Sequence, residues 1–370
     1  MAQFTMVLRG TSAAIFREGS NLHIRSFPTT SGPVDIVYAT RLIKRSPEVS
    51  IPGQLWVEVQ GEGADINRIL APFGNAGMAF LPLLSVSANA HVGDIDVELA
   101  FDSTPDIEQR QYFQQYVAPE RDILAPARPI DVVATQALLN AIKSNTEQTR
   151  IGRAASQYRA ALESWHLGQS IESIAHLWMA LEALTPVERK IQMTQKGAAN
   201  TTELATMLGV DIKDLDPSIR RQFLLEGDEE SYWKAKQVSD GFEHGFADYD
   251  QLWQLSKSVR QQVARSVRKA ILRLSGIEKQ VFDKLTGPGY AKPMGTNSLA
   301  QYLRGILQGR GANLAAPGSK YPFVKWNPQV KKMLLNPAGQ YDVEWEHKLS
   351  PQLAEGIKFT PGKLEIMEKT

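Results

Sequence analysis

The sequence predicts an α+β fold: an N-terminal β-rich domain with packed helices, an α-helical bundle, and an extended C-terminal tail with short strands. Three observations predict it. Residues 1–150 hold short β-branched or alternating runs separated by turn residues. Residues 151–280 place apolar side chains at helical spacing. Residues 281–370 return to strand-like runs after a stretch punctuated by Gly and Pro. The domain boundaries expected from these changes are 1–144, 145–280 and 281–370.

In the first block, 4–8, 22–25, 34–38 and 55–59 read as strands, with turns at Gly19-Ser20-Asn21, Ser31-Gly32-Pro33 and Pro52-Gly53. Residues 65–86 break that rhythm and read as a buried helix, kinked near Pro72 and Pro82. Strand alternation resumes at 95–99, and a polar helix is expected over 108–116.

The second block begins with an amphipathic helix over 151–165. Its apolar stripe is Ile151, Ala154, Ala155, Tyr158, Ala161, Leu162 and Trp165. The next helix starts at Ser170 and is apolar nearly all round to Leu184, as suits the centre of a bundle; Pro186 is expected to close it. A third helix is expected over 232–242. A long fourth runs from about Tyr249 to Ser275, with an apolar face through Leu252, Leu255, Val259, Val263, Val267, Ala270 and Leu274. Two early and two late helices around an insertion suggest a four-helix bundle. Within the insertion, 202–210 resembles the start of a helix-turn-helix. The next seven residues carry three carboxylates (Asp211, Asp214, Asp216) and a proline, a poor surface for DNA, so a structural αα-turn is the better reading. In the third block a helix is expected over 298–308, followed by strands near 341–345, 356–359 and 363–366. This tail is expected to pack on another domain or on a partner subunit.

The chain has 370 residues, two or three domains by the usual prior of about 150 residues each. Hydrophobic residues make up 43% and charged residues 22%, an ordinary globular composition. The net charge of +1 marks neither a nucleic-acid nor a membrane-surface protein. It nevertheless hides an acidic first block (−4), a neutral second and a basic third (+5). The absence of cysteine excludes disulfides, thiol nucleophiles and thiolate metal sites. The N-terminus shows no signal-peptide pattern, and the apolar stretch 78–92 is too short to span a bilayer, so a cytoplasmic location and no membrane partner are expected.

No phosphate-binding loop, dinucleotide fingerprint or His-Glu-x-x-His occurs, and none of the six histidines sits at metal-ligand spacing from another. No metal and no cofactor are expected. One stretch gathers chemistry: Lys234, Lys236, Asp240, Glu243 and His244 near the end of the third bundle helix. Histidine exchanges protons near neutral pH, and lysines one or two turns earlier can hold phosphate, a kit for acid–base cleavage of a phosphodiester. A helix cap at His244 and Gly245 is the structural alternative. Glu182 falls about 20° from Ile171 on the helical wheel, in the apolar face, where a carboxylate needs a partner. The fourth helix carries Lys257, Arg260, Arg265, Arg268, Lys269 and Arg273 with no acidic residue from Gln251 to Ile277. That strip is either solvated or faces RNA.

Tyr158-Arg159-Ala160-Ala161-Leu162, the run Leu177-Trp178-Met179-Ala180-Leu181-Glu182-Ala183-Leu184, and a helix ending Glu243-His244-Gly245 before a long fourth helix together resemble a HEPN domain, of the kind found in bacterial ApeA-like and MauJ-like proteins. The resemblance covers about 145–280. It implies a homodimer or other protein partner, RNA as ligand, and metal-independent RNA cleavage in stress response or phage defence. His244 would serve as acid–base, with Lys236, Asp240 and Glu243 beside it and Lys234, Arg260, Arg265 and Arg268 contacting RNA. The family's Arg, separated from the His by four to six intervening residues, has no counterpart: Gln237, Val238 and Ser239 stand there. That departure supports the alternative, a non-catalytic dimeric interaction or sensor module.

Overall fold

The computed structural model describes all residues except 47–48, 107, 116–127, 167, 246–247, 296–298, 310–313, 320–321, 336–340 and 369–370. The N-terminal layer is an antiparallel six-stranded sheet. Its strands are β1 (Ala2–Ser12), β3 (Leu22–Thr29), β4 (Gly32–Ser46), β5 (Val49–Gly63), β6 (Val92–Asp102) and β7 (Tyr112–Gln114), in the order β3-β4-β5-β1-β6-β7. A short parallel pair, β2 (Ala14–Ile15) with β8 (Arg128–Pro129), closes one end. The central strand β1 is buried continuously from Phe4 to Leu8, with Phe4, Met6 and Leu8 on one face and Thr5 and Val7 on the other.

Helix α1 (Ile66–Met78) crosses the sheet. It is capped by Asp65, whose carboxylate accepts from the Arg68 amide at 3.1 Å. Helix α2 (Leu81–Ala88) follows after a break at Ala79-Phe80, with Pro82 in its first turn, where its missing amide costs nothing. The stretch Ile66–Ala88 is long and apolar enough to cross a membrane by length and composition. Here it is core: α1 packs on β1, β5 and β6, and α2 on α3 (Val132–Ser144) and α4 (Gln148–Glu163).

Helices α4, α5 (Ser170–Lys196), α8 (Glu229–His244) and α9 (Tyr249–Leu274) form the four-helix bundle, with α5 touching the other three. Each fully buried leucine or isoleucine along these stripes contributes roughly 1.5–3 kcal/mol. One continuous hydrophobic core runs from Phe4 through the sheet layer and the bundle to Leu285. A small satellite core (Leu204, Ala205, Leu215, Ile219) fills a lobe made of α6 (Thr201–Met207), a 3₁₀ turn, α7 (Leu215–Ile219) and a π-helical turn over Arg220–Leu224. Helix α10 (Lys279–Leu285) then leads to the C-terminal region. There β9 (Leu299–Gln308) pairs with β12 (Lys358–Glu368), and β10 (Phe323–Leu335) with β11 (Tyr341–Gln352).

Several expectations are corrected. The polar helix over 108–116 is absent from its described residues: Tyr112–Gln114 is edge strand β7, held by pairing to Leu99–Phe101 of β6. The helix over 298–308 is strand β9, because β12, distant in sequence, supplies a ladder partner that local propensity cannot reveal. Pro186 does not end α5. Beyond it Val187, Glu188 and Gln192 are buried, and Val187 and Ile191 belong to the main core. That burial and pairing offset the roughly 3 kcal/mol cost of an interior proline. The helix-turn-helix likeness ends at α6: a 3₁₀ turn and the five-residue α7 follow, so no recognition helix is formed.

Candidate functional site

Helix α8 carries the predicted chemistry, and its capping explains its position. Asp228 accepts from the Ser231 amide at 3.0 Å, Glu229 and Glu230 complement the N-terminal dipole, and Gly245 ends the helix in the left-handed conformation (φ 65°). Tyr232, Ala235, Val238 and Ser239 face the bundle. The opposite ridge holds Trp233, Gln237, Asp240 and His244 at i, i+4, i+7 and i+11, with Lys236 beside it.

The ridge does not assemble a phosphate seat. Lys236 is paired to Asp240 on its own helix, and Lys234 to Glu230 at 2.5 Å. Glu243 accepts from Ser239 Oγ at 3.1 Å. His244 is the exposed last residue of α8, roughly 12 Å along the axis from Lys236. Two shallow cavities are lined elsewhere: one of about 400 Å³ by Gln3, Ser26, Asp35 and Glu62 on the sheet, one of about 630 Å³ by Thr206, Asp211, Asp214 and Arg221 on the lobe. Among the described residues no group of three or more His, Asp or Glu side chains could hold a metal ion.

Two expected RNA contacts are corrected. Arg260 is 9% exposed, stacks 4.4 Å from the centroid of Trp165 and donates to the His166 carbonyl at 3.4 Å. Burial lowers its pKa from the ordinary value. Arg268 is 4% exposed and donates to the carbonyls of Val86 (2.6 Å), Ser87 (2.9 Å) and Leu285 (2.7 Å). These carbonyls end α2 and α10, so two helix C-termini supply the counter-charge of a guanidinium that has no carboxylate partner among the described residues. Burial brings its pKa down to about 10, so it stays charged at neutral pH. Arg265 is exposed, as expected, and Lys257 lies 5.1 Å from the Trp253 ring centroid. Glu182 is also corrected: its side chain is 48% exposed and lies 3.6 Å from Arg220, because the π turn brings that arginine against the rim of α5.

The feature of this region that the sequence concealed is an aromatic–arginine ladder. Trp178 and Tyr232 lie 5.5 Å apart and Tyr232 and Trp233 5.0 Å apart. The π turn lays Arg220 over Trp178 at 5.4 Å, and Arg221 5.7 Å from Tyr232 and 5.8 Å from Trp233. Burial pushes the Tyr232 phenol above its usual range, against Arg220, Lys236 and Arg221, while Asp240 adds to the rise. The ladder surfaces at Trp233, 54% exposed, whose indole donates to Glu229 at 3.2 Å. A tryptophan on the polar side of a helical wheel is the sequence signal that could have found it. Comparison of the chain with protein-family models, with curated proteins and with solved structures gives no match.

Proposed function

We propose that this protein is a non-catalytic interaction module that self-associates through α8. One observation carries the reading: Trp233, Gln237, Asp240 and His244 are spaced 4, 3 and 4, which reads the same in both directions. A second copy laid antiparallel across the ridge sets Trp233 against its His244, and Gln237 against its Asp240. A two-fold interface needs this self-complementarity. The flanking charges support the reading. Lys234 and Lys236 are already neutralised within the helix, which suits a protein contact better than phosphate. An exposed tryptophan at the head of a buried aromatic ladder suits the rigid anchor of an interface.

Light scattering behind gel filtration tests this over a concentration series. The expected result is a dimer that Trp233→Ala weakens roughly 30-fold, about 2 kcal/mol. A monomer at every concentration, or a Trp233→Glu variant that dimerises unchanged, refutes the reading. Cleavage of single-stranded RNA by the wild type that His244→Ala abolishes would instead favour the nuclease reading. Binding of RNA without cleavage has its own support in the exposed Lys257 and Arg265 on α9, which carries no carboxylate after Asp250. Its test is loss of RNA affinity, with a smaller salt slope, in Arg265→Glu.

A further inference from the structure

We infer that residues 284–294 form a strap that opens locally, without unfolding the bundle, and so uncovers the end of α2 and the turn that follows it. The segment leaves α10 and lies across the end of α2 and the turn that follows it. Its fastenings are almost all polar. Lys284 pairs with Asp131 at 2.5 Å. The Leu285 carbonyl accepts from Arg268 at 2.7 Å and the Lys292 carbonyl from Arg128 at 2.7 Å. The Tyr290 carbonyl accepts from Asn89 Nδ2 at 2.6 Å, and the Tyr290 hydroxyl donates to the Pro129 carbonyl at 3.1 Å. The His91 amide donates to the Met294 carbonyl at 2.7 Å, and the Met294 amide to the Asn89 carbonyl at 3.1 Å, making an isolated parallel bridge.

Apolar anchoring is slight. Leu285 and Pro293 are buried and Met294 is half-buried, while 288, 289, 291 and 292 are exposed. A segment with many exchangeable hydrogen bonds and little buried apolar surface belongs to the low-stability end of a fold. Opening also returns water to Arg268, whose burial is costly. The strap has a steric stop as well: a Cβ on Gly295 would lie 2.7 Å from the Trp165 carbonyl oxygen and 3.1 Å from that of Leu162. Only glycine lets the chain approach the end of α4 so closely. Beyond this point lie β9 to β12, in the block that carries +5 of the formal charge. Release of the strap therefore loosens one tether of the basic part of the chain, while β10 still touches β5 of the sheet.

Hydrogen exchange of the full chain, read by mass spectrometry across sub-denaturing urea, tests this. The expected result is exchange of the 285–294 peptide at least about 100-fold faster than that of α5, with a rate nearly independent of urea, as local opening requires. Gly295→Ala is expected to raise exchange of that peptide about tenfold further while α5 protection stays unchanged. Tyr290→Phe, which removes only the bond to Pro129, gives a milder increase in the same peptide and serves if the alanine variant does not fold. Exchange of the strap with the same rate and urea slope as α5, or a loss of α5 protection equal to that of the strap in Tyr290→Phe, overturns the inference.

Discussion

Arg268 is the side chain whose removal tests the architecture most directly. Arg268→Met keeps the aliphatic stem and deletes the guanidinium. Three carbonyls, those of Val86, Ser87 and Leu285, then lose a donor within 2.9 Å, and the Tyr290 carbonyl loses a weaker one at 3.5 Å. Hydrogen bonds to a charged donor contribute about 1.5–3 kcal/mol each, and the desolvation cost of the buried cation offsets part of the total. No buried carboxylate is stranded by the change, so the lower end of the range for broken buried charges applies, about 3 kcal/mol. That corresponds to a loss of about 100-fold or more in the folded-to-unfolded ratio. Urea unfolding, followed by far-ultraviolet circular dichroism and tryptophan fluorescence, should show a lower midpoint with the slope kept and the two probes coincident. Arg268→Lys retains the charge but not the fork that reaches α2 and α10 together, and should recover no more than about half of the loss. An Arg268→Met variant within about 0.5 kcal/mol of wild type would show that α2 and α10 hold without their shared cap, and would refute the reasoning.

Three further outcomes follow from the buried polar groups. Tyr158→Phe removes a 2.5 Å bond to Asn89 Oδ1 and should cost about 1 kcal/mol at neutral pH in the same unfolding assay. Burial holds the Tyr158 phenol above its ordinary value of 10.0, so its stabilisation is complete below pH 10.0 and is lost as pH climbs toward the folded value. The phenylalanine variant should therefore lose stability less steeply above pH 10.0, with Tyr38 and Tyr290 still contributing. His176, hydrogen-bonded to Gln157 at 2.9 Å, is pushed below its ordinary 6.5 by burial, against the pull of Glu163 and Glu172. Below pH 6.5 the unfolded chain takes up a proton that the folded chain refuses, so stability falls there, and melting of His176→Gln against pH should show a shallower acid limb. Arg273→Ala strands the fully buried Glu188 carboxylate, 2.7 Å from that guanidinium, and should cost about 2 kcal/mol in urea unfolding, a figure reduced because Arg273 is itself half exposed. Glu188→Gln in that background should restore part of it, since Gln192 already donates to the same carboxylate at 2.8 Å.

The elements that sequence periodicity located are those whose partners lie close in the chain or whose apolar stripe is long. The stripe from Ile151 to Trp165 is buried at every one of its seven positions, and α9 buries the face that its spacing marked except at Leu255, which is half-buried against the core. The misread elements depend on distant partners. Residues 299–308 look locally helical and become a strand only because 358–368 pairs with them, while Tyr112–Gln114 is a strand only beside β6. Proline punctuation failed at Pro186 for a similar reason, since the surfaces that bury Val187 and Glu188 come from segments far along the chain. On α9 the same blindness affected charge. Six cations along one helix look alike on a helical wheel, yet Arg260 and Arg268 are structural, Lys269 and Arg273 are paired with Glu226 and Glu188, and only Lys257 and Arg265 are exposed without a carboxylate in ion-pair range among the described residues.

That sorting of charges bears on function more than the net charge of +1 does. A polyanion surface needs cations that are exposed and not already neutralised. On α8 neither lysine qualifies, because each has a carboxylate one turn away on its own helix. What the helix does offer outward is a tryptophan, an amide, a carboxylate and an imidazole at intervals of 4, 3 and 4 that read the same in both directions. Such spacing suits the proposed antiparallel contact with a second copy, whereas a phosphate backbone presents one sign of charge along its whole length. The missing arginine at 237–239 and the self-neutralised lysines at 234 and 236 thus both favour the proposed helix–helix contact over a phosphate seat on α8.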